Sequence, residues 1–220
     1  VVQLLLGDGE GGLIATTTAD VGGNSTGLTT GDFDGDGHAD LVAGQSAPGA
    51  RVWFGDGGGG LSDPVELPVT FAPGRIRAGH FDDDSALDLI VGQFAGPLIA
   101  VWRGDGDGGF LAPTEPTELE GVVEELAVAD FDGDGRSEVA VQSERSNRIE
   151  LLRAGDEGSL TGWKFAELEG FPRGIGAADF NLDGQLDLVV AESEGGFLYR
   201  RWMTVLAGPD FEQIGEVEVA

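Results

Sequence analysis

Four short stretches of this chain carry carboxylates at alternate positions, a spacing that can hold a metal ion. The first, D-F-D-G-D-G-H-A-D over 32–40, places Asp32, Asp34, Asp36 and Asp40 at loop positions 1, 3, 5 and 9. In a tightly curled loop alternate side chains converge on one point, and Gly37 at position 6 admits the positive φ the curl needs. The carbonyl of His38 at position 7 completes a set of hard oxygen ligands of the number and kind that Ca²⁺ prefers; Mg²⁺ would keep fewer protein ligands and more water. An EF-hand is excluded, because its twelfth position requires Glu. That position here holds Ala43, Val91, Val141 and Val190.

The other three stretches differ in quality. The third offers Asp130, Asp132, Asp134 and Glu138 with Gly135 and the Arg136 carbonyl, and is expected to bind well. The fourth offers Asp179, Asn181, Asp183 and Asp187 with Gly184 and the Gln185 carbonyl, one charge fewer. In the second, His80 replaces the first Asp and Ser85 replaces the Gly, leaving Asp82, Asp84 and Asp88, so it is expected to be weak or empty. Asp-Gly turns without a metal are the plainer reading of any one such loop. Three near-ideal copies in phase favour Ca²⁺, at three to four sites.

The loops are parts of a longer repeat. Their first positions, Asp32, His80, Asp130 and Asp179, are 48, 50 and 49 residues apart. A second motif keeps the same phase: L-L-L-G-D-G-E-G-G-L at 4–13, V-W-F-G-D-G-G-G-G-L at 52–61 and V-W-R-G-D-G-D-G-G-F at 101–110, with a weaker copy at 152–160 whose glycine is Gly155. Each unit reads as about four short strands rich in Val, Leu, Ile and Phe and punctuated by Gly, Asp and Pro. In the first whole unit these are Leu28–Phe33, Asp40–Ala43, Arg51–Phe54 and Val65–Val69. A four-stranded unit at this period is the mark of a propeller blade, and no amphipathic window long enough for a helical solenoid is present. The expected fold is an all-β propeller of antiparallel blades.

Whole units fall near 27–70, 75–119, 125–170 and 174–220, with a half blade over 1–22, giving about four and a half blades. The last unit supplies its own outer strands, Phe197–Leu206 and Phe211–Val219, so nothing in the chain completes the first blade. Either these residues belong to a larger ring, or another chain covers the open blade edge.

Asp and Glu total 40 against 12 Lys and Arg, a net charge of −28, which argues against nucleic acid or an anionic membrane surface as partner. Lys164 is the single lysine among the basic residues, a bias of high-salt organisms or of GC-rich coding. There is no cysteine, so disulfides, thiolate zinc sites and cysteine nucleophiles are excluded. No apolar run is long enough to span a membrane as a helix.

Catalytic constellations are sparse. The two histidines, His38 and His80, both lie inside the acidic loops, and no G-x-S-x-G or H-E-x-x-H occurs. A non-enzymatic role is expected, with a polysaccharide lyase or hydrolase as the alternative. Phe33, Phe81, Phe131 and Phe180 share one repeat position and are expected to pack between blades. Trp53 and Trp102 also share a position, where core filling competes with sugar stacking. Trp163, and Trp202 beside Arg200 and Arg201, depart from the repeat and are candidate ligand contacts.

These loops and hairpins resemble the FG-GAP/VCBS repeat family, the calcium-loop propeller blades of integrin α-subunits and many bacterial surface proteins. The resemblance runs over nearly the whole chain. Its departures are the degraded 80–88 loop and the weakened hairpin motif of the last unit. It implies calcium loops that are structural, ligands bound elsewhere on the ring, and a secreted or cell-surface module for adhesion or for recognition of a glycan or protein. A structural scaffold within a larger surface assembly is the second reading.

Overall fold

In a computed structural model, residues 1–112, 115–144, 146–155, 158–193, 201–208 and 210–218 are described. They form strands only in antiparallel sheets. β1 (Val2–Gly7) and β2 (Leu13–Ala19) make a two-stranded sheet. The second sheet is β3 (Ser25–Gly31), β4 (Asp40–Gln45), β5 (Ala50–Trp53) and β6 (Val65–Leu67), in that order. In the third, β7 (Pro73–Gly79), β8 (Asp88–Gln93) and β9 (Leu98–Gly104) are followed by two short strands, β10 (Phe110–Leu111) and β11 (Thr117–Glu118), both paired with β9. The fourth is β12 (Val123–Ala129), β13 (Glu138–Ser143), β14 (Arg148–Ala154) and β15 (Leu160–Glu167). The fifth is β16 (Phe171–Ala178), β17 (Asp187–Ser193), β18 (Arg201–Ala207) and β19 (Glu212–Glu218). Of the strands expected at the chain's end, residues 197–200 and Val219 lie outside the described residues.

The sheets stack through their first strands: β3 lies against β7, β7 against β12, and β12 against β16. The second strands β4, β8 and β13 are therefore covered on both faces. This is why D-L-V-A-G, D-L-I-V-G and E-V-A-V-Q read as continuous apolar runs instead of alternating ones. Four cores fill the gaps between successive sheets. Trp53, Leu41 and Ala43 meet Ala19 and Val21; Val42, Val52 and Phe33 meet Ile76, Leu89 and Trp102. Phe81, Ile90 and Val101 meet Leu126, Val139 and Val141, and Phe131, Ile149 and Leu151 meet Leu188, Leu206 and Phe211. Each fully buried side chain of this size contributes about 1.5–3 kcal/mol.

Two expectations need correction. Phe33, Phe81 and Phe131 are buried in these cores, but Phe180 is 50% exposed, because no described sheet follows the fifth to cover it. The hairpin of the fourth sheet also sits one residue earlier than Gly155 suggests. Trp53 pairs with Leu41 and Trp102 with Leu89, and the equivalent partner of Val139 is Leu152. Ala154, not Gly155, thus holds the hairpin glycine's place.

Among the described residues no helix is long and apolar enough to cross a membrane.

Candidate metal centre

Each acidic loop joins the first two strands of its sheet. In the 32–40 loop the curl is built by the aspartates themselves. Asp32 accepts from Gly35 N at 2.9 Å through one oxygen and from Gly37 N at 2.9 Å through the other. Asp34 accepts from Asp36 N at 3.2 Å and Asp36 from His38 N at 2.8 Å. Gly37 takes φ +86°, the left-handed conformation that the curl requires and a side chain would resist. The 130–138 loop repeats the pattern: Asp130 holds Gly133 N at 2.7 Å and Gly135 N at 2.9 Å, and Asp134 holds Arg136 N at 2.8 Å.

The result is two clusters of hard oxygen donors. Asp32, Asp34 and Asp36 each offer an oxygen within 4.8 Å of the others, and so do Asp130, Asp132 and Glu138. Crowded carboxylates on curled backbone are the chemistry a Ca²⁺ site needs, and these residues fit that ion. Asp34 and Glu138 are weaker acids than usual, chiefly through burial and secondarily through repulsion by their neighbours. Burial, and then the neighbouring Asp40, Asp36 and Asp32 charges, raise the Asp34 carboxyl above its ordinary range. Burial pushes Glu138 up to about 7, with Asp134 and Asp130 adding to the rise and the Phe131 N–H opposing it.

The two clusters differ in what faces them. Phe54 lies near Asp34, since a side chain placed on Gly108 would meet both. At the other cluster Arg153 does the facing: its guanidinium pairs with Asp132 and, through Nε, with Glu138 Oε1 at 3.2 Å. The same guanidinium carbon stands 3.8 Å from the centroid of the Trp163 ring.

Among the described residues the remaining two loops do not gather such a triad of carboxylates. In the 80–88 loop His80 Nδ1 lies 3.0 Å from the Ala86 carbonyl. A carbonyl only accepts, so Nδ1 carries the proton. The position-1 side chain and the position-7 carbonyl, both candidate ligands elsewhere, satisfy each other here. Neither Asp83 nor Ser85 takes the positive φ of its glycine counterparts, and Arg103 stands 4.0 Å from Asp82. In the 179–187 loop Asn181 Nδ2 donates to Asp183 Oδ2 at 2.9 Å, tying up a candidate ligand, and Leu182 is forced to φ +62°.

Position 9 has a role beyond ligation that its spacing does not reveal. Asp40 accepts from Phe33 N at 2.7 Å and from Gly55 N at 2.9 Å. Asp88 repeats this with Phe81 N and Gly104 N at 2.7 and 2.9 Å, and Asp187 with Phe180 N and Gly208 N at 2.8 and 3.3 Å. Glu138 keeps the Phe131 N bond at 3.0 Å and gives its other oxygen to Arg153. These buried carboxylates pin the loop to the neighbouring hairpin with or without a metal.

The tryptophans separate. Trp53 and Trp102 are only 3% and 1% exposed, so they fill core and offer no ring face to a sugar; Trp102 packs edge-on against Phe71 at 6.0 Å. Trp163 is half-buried under Arg153 and stands 6.3 Å from Phe211. It borders a shallow cavity of about 420 Å³ together with Arg148, Glu150 and Phe165. The Trp202 side chain and Arg200 lie outside the described residues.

Stacked antiparallel sheets, four of them with an acidic loop between their first two strands, define a propeller-type repeat protein. A model of FG-GAP-like repeats matches residues 80–141 and again 130–190, together half of the chain. The chain belongs to the FG-GAP-like repeat family. No curated protein matches it. Among solved structures it superposes on BBS1N, crystallised in complex with ARL6DN and soaked with lead, with TM-score 0.67 and 13% identity, over 94% of this chain and 59% of that one. A protein from Lactobacillus plantarum gives TM-score 0.66 and 18% identity over 98% of this chain and 62% of that one. At these identities the likeness is one of fold. The chain spans about three-fifths of the length of both structures.

Proposed function

We propose that the chain is a calcium-stabilised propeller module that works by binding a protein ligand, not by catalysis. The observation that carries the metal part is the pair of clusters, Asp32–Asp34–Asp36 and Asp130–Asp132–Glu138, each held on a loop curled by its own carboxylates. Ca²⁺ would neutralise charges that otherwise repel, so binding energy becomes folding energy. We place the module in a secreted or cell-surface setting, where calcium-binding modules work at about 10⁻⁴–10⁻³ M.

Burial removes Trp53 and Trp102 as sugar-stacking faces, and the protein reading is supported by one fold relative, BBS1N, which is itself crystallised with a protein partner. A net charge of −28 favours a partner with a basic face. The test is calorimetric titration of the chelated protein with Ca²⁺, read beside its melting curve. Two sites with a clear rise in Tm are expected. No heat and no stabilisation would reduce the loops to Asp-Gly turns and remove the metal from this reading.

A further inference from the structure

We propose that β1 presents a docking slot for one specific occupant: a β-hairpin of the same repeat type, made of a first and a second blade strand joined by an acidic loop. Gly7 ends β1. In the second, third and fifth sheets the residue at this hairpin position is Gly55, Gly104 or Gly208. A Cβ there would meet a backbone carbonyl at 2.2 Å (Ala39), 2.3 Å (Leu87) or 2.6 Å (Leu186). Each carbonyl comes just before the position-9 carboxylate that accepts from the same glycine's N–H. At Gly7 a Cβ would meet nothing within 4 Å, and Gly7 does not take a positive φ. The first sheet therefore keeps a glycine for a close approach that no described residue makes.

A second, independent observation marks the same place. Leu28 on β3 is equivalent to Ile76 and Leu126, since their partners across the sheet are Ala43, Val91 and Val141. Ile76 and Leu126 are 0% and 2% exposed under the second strand of the preceding sheet, whereas Leu28 is 46% exposed. Leu28 borders an apolar cavity of about 410 Å³ with Val2, Leu4, Leu6, Leu41 and Leu61. That cavity lies where the inner strands of the first sheet would run.

The repeat specifies the occupant. It must bring a strand to the free edge of β1, an apolar side chain like Val42 onto Leu28, a backbone carbonyl over Gly7, and a carboxylate to Gly7 N. A second copy of this chain does not meet this, because among the described residues each such strand pair is already built into its own sheet. Gly7 and Leu28 belong to neither acidic cluster, so the slot itself stands apart from the metal reading.

The probe is a synthetic peptide of residues 25–45, the chain's own β3–loop–β4 segment, which carries the 32–40 loop and is titrated into the full chain with and without Ca²⁺. Saturable binding is expected, weakened about tenfold or more by Asp40→Ala in the peptide. Gly7→Ala in the chain should leave Tm unchanged, since a methyl there meets nothing, yet weaken the peptide by a similar factor. If the isolated hairpin is held too weakly to detect, joining a copy of residues 25–48 ahead of Val1 decides the matter. Tm must then rise, and Gly7→Ala must cancel the gain. No gain from the fusion, or binding indifferent to Gly7→Ala, overturns the proposal; so does concentration-dependent self-association of the chain that the peptide does not compete away.

Discussion

The Arg153 guanidinium sits over the Trp163 ring, its carbon 3.8 Å from the centroid, while its nitrogens pair with Asp132 and Glu138 of the 130–138 loop. One cation thus spans an aromatic face and a cluster of acids that could hold a metal ion. Replacing it exposes what the charge does. Without calcium, Arg153→Met should cost about 1–2 kcal/mol, because three crowded carboxylates lose their neutralising partner. With calcium the loss should shrink, and the 130–138 site should bind the ion more tightly. Paired melting curves with and without Ca²⁺ check this.

Carboxylates inside the loops and at position 9 should separate by their response to chelator. Asp34→Ala and Asp132→Ala should lower Tm in calcium far more than Asp82→Ala, and should cost little once EDTA has been added. Asp88→Ala should cost about 2–4 kcal/mol in either condition, because it strands the buried Phe81 and Gly104 N–H groups. Equal losses at Asp34, Asp82 and Asp132 would contradict the ranking of the loops.

Leu182 stands at φ +62° where the two better loops have Gly35 and Gly133, and its side chain is exposed. A left-handed conformation costs a non-glycine residue about 1–2 kcal/mol. Leu182→Gly should therefore stabilise the chain by about 1 kcal/mol, partly offset by the freer unfolded chain. Chemical denaturation measures the shift.

Glu138 titrates at about 7 in the folded chain against an ordinary 4.5. Between those values the folded state holds a proton that the unfolded state has released, so metal-free stability should fall as pH rises from about 4.5 to about 7 and level off above. Glu138→Gln should flatten that slope. Calcium should oppose it, since the ion binds only the ionised carboxylate. Urea midpoints at about pH 5 and about pH 8, with and without Ca²⁺, give the comparison.

The strands and their stacking were legible in the sequence because both are periodic. Runs such as L-V-A and L-I-V announce burial on two faces, and the phased loops fix where each sheet begins. The acidic loops were legible for the same reason, down to the glycine at position 6. What was not legible depends on register. Arg153 reads as part of a degraded hairpin until Leu152 is seen to pair with Val139, and only then does it face Glu138. The fate of Trp53 and Trp102 turned on which side of the strand meets another sheet. Phe180 was misjudged because its position in the repeat is the same as Phe33's, while its surroundings are not.

Phe33, Phe81 and Phe131 each follow the first residue of an acidic loop, yet each is buried in the core shared with the next sheet. The loop is therefore a joint between neighbours as much as a turn within one sheet. Order at a loop passes forward along the chain, in the manner of nearest-neighbour coupling in repeat arrays. Losing the ion at 32–40 should loosen the seam between the second and third sheets before it disturbs either ladder, and hydrogen exchange should report that opening first at β7.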